Sequence, residues 1–390
     1  MPSASRQAGV LAAGMLVTGT LNTLLTKLQD KQCIANCDDP DPANHRLFEQ
    51  PTIQTLNMFY GEMLCLACLY AFSLFGSAAR SPSADGYQPI TQDGPPTAAS
   101  DAVDDVPTTD ALPVTASIET PGQPTLKPVV GWATLWLWVP ATCDLLGTTL
   151  MNVGLFFTSA SVYQMLRGAV VVFSGLFSVL FLGKRLERFQ VISLFMVVLG
   201  VTIVGMSNVI SPPISAFAPE TADREALKAT VGVALVLGAQ VFTATQFVVE
   251  EKILSHYHLT PLRAVGLEGT FGAVTVMAAI PILHLAIGRS HPGGYFDAPE
   301  GFRQVFENPG VWQTSIWIMI SIAMFNYFGI SVTRYLSATS RATIDTCRTL
   351  FIWMSSLALG WESFSWIQVV GFGILVYGTF IYNRVLTLPF

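Results

Sequence analysis

Between Val162 and Leu182 the chain reads VYQMLRGAVVVFSGLFSVLFL. At about 1.5 Å per residue a helix of this length crosses the ~30 Å hydrocarbon core of a bilayer, yet it carries Arg167. A charge inside a spanning helix costs at least about 2.5 kcal/mol, so it has to face a partner or a water-filled cavity rather than lipid. The other polar and small residues agree: Gln164, Arg167, Gly168, Ser174, Gly175 and Ser178 recur at three- and four-residue steps and fall on one helical face. The run stops at Gly183, and the basic cluster Lys184, Arg185 and Arg188 marks the side that stays in the cytoplasm.

The same design returns in Ser337–Gln368, SATSRATIDTCRTLFIWMSSLALGWESFSWIQ. Both copies open on a Ser/Thr/Ala turn, carry charge early, become apolar around a Phe and reach a Leu-Gly stop. Each then resumes at a Gln that opens another apolar run. With one residue of gap, Gly183 matches Gly360 and Gln190 matches Gln368. A helix pair repeated at corresponding places in two halves is the pattern of secondary transporters, whose site lies at the repeat interface near mid-membrane.

The remaining chain fits a bilayer solvent. Only 12% of its 390 residues are charged, against about 25% in an ordinary soluble domain, and 51% are hydrophobic. Residues 1–76 predict spans one and two, separated by a loop holding Cys33 and Cys37, two thiols close enough to form a disulfide in an oxidising lumen or to remain free. Cys65 and Cys68 sit in an apolar helix without redox context and read as packing. Residues 77–128, rich in Pro, Ser, Thr, Asp and Gly, predict a disordered cytosolic loop. Within it Tyr87-Gln88-Pro89-Ile90 has the form of a sorting signal for an endosomal or lysosomal adaptor. Residues 129–210 predict spans three to five, 211–228 an inter-repeat connector, and 229–390 spans six to ten. The fold class is therefore an all-α membrane protein of ten transmembrane helices.

Five spans per half is an odd number, so the second half enters the bilayer from the opposite side and the two are inverted repeats. Of the 20 Lys and Arg, more fall on the side of the N-terminus, Arg341 among them, which puts both termini in the cytoplasm. The net charge of -6 sits largely in the 77–128 loop and implies no acidic or basic partner. The partners expected are the lipid bilayer and a small polar solute, with no nucleic acid; a homodimer is admitted by the sequence but not required.

Polar residues inside the spans are the candidate substrate site: Asn22, Glu62, Asp144, Thr148, Asn152, Gln164, Arg167, Gln240, Gln246, Glu268, Asn326, Asp345 and Arg348. Asp144, Thr148 and Asn152 form one stripe at steps of four, and Arg341, Asp345 and Arg348 a positive, negative, positive ladder. Arg167 and Arg348 would hold an anionic group of the solute, or pair with acids in a purely structural role. Asn and Gln would line the cavity or bridge helices. Four buried carboxylates, Glu62, Asp144, Glu268 and Asp345, against two arginines suggest that protons drive the transport. The chain has no HExxH, GxGxxG or GxxxxGK[ST] motif and its five histidines are scattered, which argues against an enzyme, a metal site or a cofactor. A non-transporting scaffold or receptor acting through the 77–128 loop would not need inward polar stripes from both halves.

The stretches SASVYQMLRGAVVVFSGLFSVLFLGKRL, PATCDLLGTTLMNVGL, PLRAVGLEGTFG and GISVTRYLSATSRATIDTCRTLFIW resemble the drug/metabolite transporter superfamily, and within it subgroup F of solute carrier family 35. The resemblance spans the chain apart from the 77–128 loop, which is longer and more acidic than the pattern. It implies an endomembrane transporter, lysosome- or vacuole-like. Nucleotide-sugar transport is the parent family's activity, and a more distant likeness is to vacuolar exporters of peptides, amino acids or cationic drugs.

Overall fold

The computed structural model describes residues 2–37, 45–75, 127–129, 131–155, 157–158, 160–210, 219–360 and 365–383. The Tyr87 motif and nearly all of the 77–128 segment lie outside the described residues.

Helices account for most of what is described. They are α1 (Pro2–Asp30), α2 (Pro51–Phe75), α3 (Trp138–Leu155), α4 (Ala160–Leu166), α5 (Val170–Leu182) and α6 (Arg188–Ile210), followed by α7 (Pro219–His256), α8 (Pro261–Ala286), α9 (Ala298–Glu307), α10 (Pro309–Tyr335), α11 (Ala338–Ala358) and α12 (Trp366–Tyr382). Proline opens several of them, at Pro261 of α8 and Pro309 of α10, where the missing N–H leaves no bond unmade. Ser337 caps α11, its hydroxyl accepting from the Ser340 N–H at 3.0 Å. The two Leu-Gly stops share one backbone solution: Gly183 (φ +66°) and Gly360 (φ +68°) both take the left-handed conformation that ends a helix and that only glycine adopts freely.

Among the described residues, seven stretches are long and apolar enough to cross a membrane by themselves: Arg6–Asp30, Pro51–Phe72, Val162–Leu182, Arg188–Met206, Leu227–His256, Pro261–Ala286 and Pro309–Tyr335. Large apolar side chains such as Phe72, Leu180, Phe195, Val274, Ile282 and Trp317 stand exposed around the bundle, a belt whose natural solvent is lipid. α12 is apolar but has 17 residues, and α11 carries three charges.

Two differences from the sequence reading have simple causes. Residues 219–228, expected in the connector, are the first turns of α7. Hydropathy marks only the apolar part of a helix, and a helix leaving the bilayer keeps its backbone bonds while its side chains turn polar. The run Val162–Leu182 is not one continuous α-helix either, since a 3₁₀ turn at Arg167–Ala169 separates α4 from α5. A tight turn inside a helix often marks a functional hinge.

Helices pack in pairs: α1 on α10, α2 on α8, α3 on α7, α6 on α12, and α4 and α5 on α11. Small residues set the closest approaches, as expected where burial from water does not drive helices together. A Cβ on Gly200 of α6 would lie 2.6 Å from the Leu375 nitrogen of α12. A core of Val162, Met165, Leu166, Val197, Val201, Val204, Trp353 and Leu375 joins α4, α6, α11 and α12.

The two ends of the bundle differ. At one, β1 (Cys33–Ala35) pairs antiparallel with β2 (Arg46–Leu47), and a disulfide joins Cys33 to Cys37. The α8–α9 loop is fastened there, Arg46 Nη2 donating to the Gly293 carbonyl at 2.6 Å and the Tyr295 hydroxyl to Glu49 at 3.2 Å. Surface helix α9 carries its own ion pair, and the Arg303 guanidinium holds the Glu300 carboxyl down at about 2. At the other end β3 (Lys127–Pro128) runs parallel to β4 (Tyr257–His258), and Arg334 Nη1 donates to the Leu259 carbonyl at 2.7 Å.

Replacing Gly200 by Leu should force α6 from α12 and cost at least about 1–3 kcal/mol through overpacking. Gly238→Ala, whose added Cβ would meet its nearest neighbour at 3.6 Å, should be neutral or slightly stabilising. Thermal unfolding of the two variants in one detergent, monitored by intrinsic fluorescence, checks the contrast.

Candidate functional site

A cavity of about 430 Å³ lies among α1, α2, α3, α4, α7, α10 and α11. Ten of the thirteen residues singled out in the sequence line it: Asn22, Asp144, Thr148, Asn152, Gln164, Arg167, Gln246, Asn326, Asp345 and Arg348. Its wall reaches exposed Glu49 and Tyr295 at the end that holds the Cys33–Cys37 disulfide, and its far end reaches Arg341, which is 2% exposed.

The charges are organised around α11. Steps of four and three put Arg341, Asp345 and Arg348 on one face, and small Ala and Thr neighbours bury that face among α1, α7 and α10. Arg348 binds Asp345 through Nε at 2.8 Å and Nη2 at 2.7 Å. Its Nη1 donates to the Gly19 carbonyl and the Thr23 hydroxyl of α1, each at 3.2 Å, and its guanidinium lies 4.7 Å over the Phe325 ring. Such pairing is needed, because an unanswered guanidinium in a low-dielectric interior costs several kcal/mol. Arg167, aimed by the 3₁₀ turn, reaches Asp345 only at 3.7 Å.

Arg341 corrects the sequence reading. Counted there among the residues outside the bilayer, it is buried, ion-paired with Glu250 of α7 and stacked 4.0 Å from the Phe247 ring centre. Glu250 was missed altogether, masked by its neighbours Glu251 and Lys252, which look like the polar end of a helix. The signal was present, since Glu250 follows Gln246 by four residues and Thr243 by seven on the same face.

Three of the thirteen do not line the cavity. Gln240 spends its side-chain amide on the Val236 carbonyl of its own helix at 3.2 Å. Glu62 is buried behind the wall and accepts from Asn326 Nδ2 at 2.6 Å. Glu268 is buried on α8, with its Oε1 left without a hydrogen-bond partner among the described residues. Within the cavity Asp144 accepts from the Thr148 hydroxyl at 3.5 Å and Asn22 from that of Ser321 at 2.9 Å. Gln164 Oε1 and Arg167 Nε are also buried without a hydrogen-bond partner among the described residues. No group of three or more His, Cys, Asp and Glu suited to a metal occurs among those residues.

The described end opposite the mouth is tied shut by side chains. Lys184, just past the Gly183 stop, pairs with Glu251 of α7, and the other oxygen of Glu251 accepts from the Ala338 N–H at the start of α11 at 2.8 Å. With Arg341–Glu250 beneath them, these contacts join α5, α7 and α11.

Comparison with known proteins agrees with this geometry. The family model described as nucleotide-sugar transporter matches residues 128–278. Solute carrier family 35 member F6 of Homo sapiens is 36% identical over 377 residues, covering 96% of this chain and 88% of that protein. The Mus musculus protein of the same name is 35% identical, covering 96% and 87%. An uncharacterized Schizosaccharomyces pombe protein is 34% identical over 381 residues, 96% of this chain and 97% of its own. A solved crystal structure with 12% identity matches 97% of each chain at a TM-score of 0.50, which speaks to the fold alone. The chain is a multi-pass membrane transporter that belongs to solute carrier family 35, in its F-type branch of the drug/metabolite transporters.

Proposed function

We propose that this protein is a secondary transporter that moves a small polar organic solute across an endomembrane by alternating access, driven by protons. One observation carries the reading: a charged cavity reaches exposed residues at one end of the bundle, while salt bridges close the other. At about 430 Å³ it falls in the lower part of the ~300–1,000 Å³ range of ligand pockets.

The helix pairing supports ten spans in two inverted repeats. Add α3, α11 and α12 to the seven self-sufficient spans, with α4 and α5 as one, and number the ten in order. The pairs are then one with eight, three with six, two with seven, four with nine and five with ten. Exchanging the halves, one for six and so on, returns the same set of pairs. The matching left-handed stops at Gly183 and Gly360 obey the same exchange. With the basic cluster at Lys184–Arg188 and both termini in the cytoplasm, the open end would face the lumen of a lysosome- or vacuole-like compartment.

Proton coupling follows from charge balance. Apart from Lys27, Asp30 and Glu49 at the end that holds the disulfide, the charged residues that are buried or line the cavity among those described are five carboxylates, Glu62, Asp144, Glu250, Glu268 and Asp345, and three arginines, Arg167, Arg341 and Arg348. Glu250 and Asp345 are answered by arginine and Asp144 faces the cavity, which leaves Glu62 and Glu268, buried off the cavity wall, as the groups to carry protons. A nucleotide-sugar antiporter is the second reading, favoured by the family match over residues 128–278, which includes Arg167.

Proteoliposomes loaded with a mixed panel of amino acids, short peptides, organic cations and nucleotide sugars test the function. Imposing a pH gradient should accelerate flux of one class, Arg167→Ala should lower it tenfold or more, and Glu62→Gln with Glu268→Gln should remove the pH response. Flux indifferent to the gradient and to the acids would leave passive exchange. The closed end is tested separately. Glu251→Gln breaks the bridge to Lys184 and weakens the bond to Ala338, so an impermeant maleimide added from the N-terminal side should label a Thr148→Cys variant severalfold faster. Unchanged labelling relative to the Thr148→Cys parent would show that these contacts do not hold the end shut.

A further inference from the structure

The proposed transporter function leaves the solute open, and the commitments of the individual charges narrow it. Arg348 is paired with Asp345, donates to two oxygens of α1 and lies over the Phe325 ring. Arg341 is answered by Glu250 and Phe247. Each of these arginines and its acid make a neutral unit. Arg167 is different: its one ion-pair contact among the described residues is the 3.7 Å approach to an Asp345 already held by Arg348, and its side chain is 17% exposed, against 2% for Arg341 and 4% for Arg348. An unpartnered nitrogen does not set it apart, since Arg341 Nε and Arg348 Nη2 lack a hydrogen-bond partner among the described residues as Arg167 Nε does. Among the carboxylates on the cavity wall, Asp144 is the counterpart. Its hydrogen bond is a long one from Thr148 at 3.5 Å, and no basic group among the described residues lies within ion-pair distance of it.

We propose that the cavity is built for a zwitterion, with the solute's carboxylate on Arg167 and its ammonium on Asp144. The inference rests on the transporter function above. A monoanion would satisfy Arg167 and leave Asp144 to be shut away from water without a partner, and a monocation would do the reverse. Either arrangement leaves an unanswered charge in a closing, low-dielectric site, which a compact zwitterion avoids. Gln164 supplies an independent sign. It is 5% exposed, lines the same cavity and has no partner for its carbonyl oxygen among the described residues, so an ammonium N–H is a matching donor. Met151, Leu155 and Phe247 give the wall apolar surface for a side chain. A diphosphate-linked sugar fits this wall less well, because it brings two or more negative charges where the cations beside Arg167 are Arg341 and Arg348, each paired with an acid, and Lys27, which donates to the Ser356 hydroxyl at 3.2 Å.

The test uses the purified full chain in detergent, with thermal stabilisation by the free amino acids, alanine-containing dipeptides and UDP-glucose, since a ligand of the native state raises the melting temperature by mass action. The best zwitterion is then compared with its methyl ester, which lacks the anion, and its N-acetyl derivative, which lacks the cation. Both derivatives should bind at least tenfold more weakly to the native protein. In Asp144→Asn the N-acetyl derivative should bind as well as the parent zwitterion, and in Arg167→Gln the methyl ester should; this gain is something a misfolded variant cannot show. Equal binding of a derivative to the native protein, or stabilisation by UDP-glucose alone, overturns the proposal. If no zwitterion binds, flux of another class that falls in Arg167→Ala proteoliposomes removes the zwitterion and keeps the transporter. Absence of flux for every class removes both.

Discussion

An arginine inside a bilayer-spanning bundle has to be answered, and here the answer organises the interior. Asp345 sits between Arg348 and Arg167 and so binds α11 to itself, to α1 through the further bonds of Arg348, and to the 3₁₀ break after α4. One turn earlier on α11, Arg341 does the same with α7 through Glu250. Guanidinium groups are planar and multidentate, and they lie well on aromatic faces, which suits them to holding several helices at one point. Ion pairs of this kind add little net stability compared with well-packed apolar residues. Their presence in a bundle that otherwise packs through glycine, alanine and valine is better explained by the polar cavity they surround.

The same α11 face serves both ends of the molecule. Its start is tethered to Glu251 and Glu250 of α7 at the closed end, while Asp345 and Arg348 look into the cavity toward the open one. A movement that opened one end would have to break bonds made by α11, and Arg167 stands on a short non-α turn next to it, where the backbone can change direction at least cost. The exposed bridge Lys184–Glu251 is individually weak, as surface pairs are. A contact worth a fraction of a kilocalorie to about one suits a closure that would reverse in each turn of the alternating-access cycle proposed above.

Much of this molecule was legible in its sequence. Apolar runs of spanning length, the oddity of Arg167, the two Leu-Gly stops, the Asp144-Thr148-Asn152 stripe and the ladder of α11 are all local features, set by residue type at a helical period. Membership of solute carrier family 35 was legible for the same reason, in short stretches around those features. Hydropathy failed where it had to. It placed the start of α7 in a connector because a water-facing helical turn and a polar loop have the same composition.

Partnership was not legible. Spacing shows which residues share a face but not which helix meets it, so nothing local told that Arg341 would pair with Glu250, 91 residues away, or that Arg348 would reach back to Gly19 and Thr23 of the first helix. Gln240, Gln246 and Glu250 lie on one helix, yet one turns to its own backbone, one to the cavity and one to a guanidinium. The sequence by itself determined that the chain spans a membrane and buries charge. Only the tertiary structure decided which charges neutralise each other and which are left facing the cavity, because the low dielectric of the interior makes each charge depend on a neighbour that folding, not chain order, brings to it.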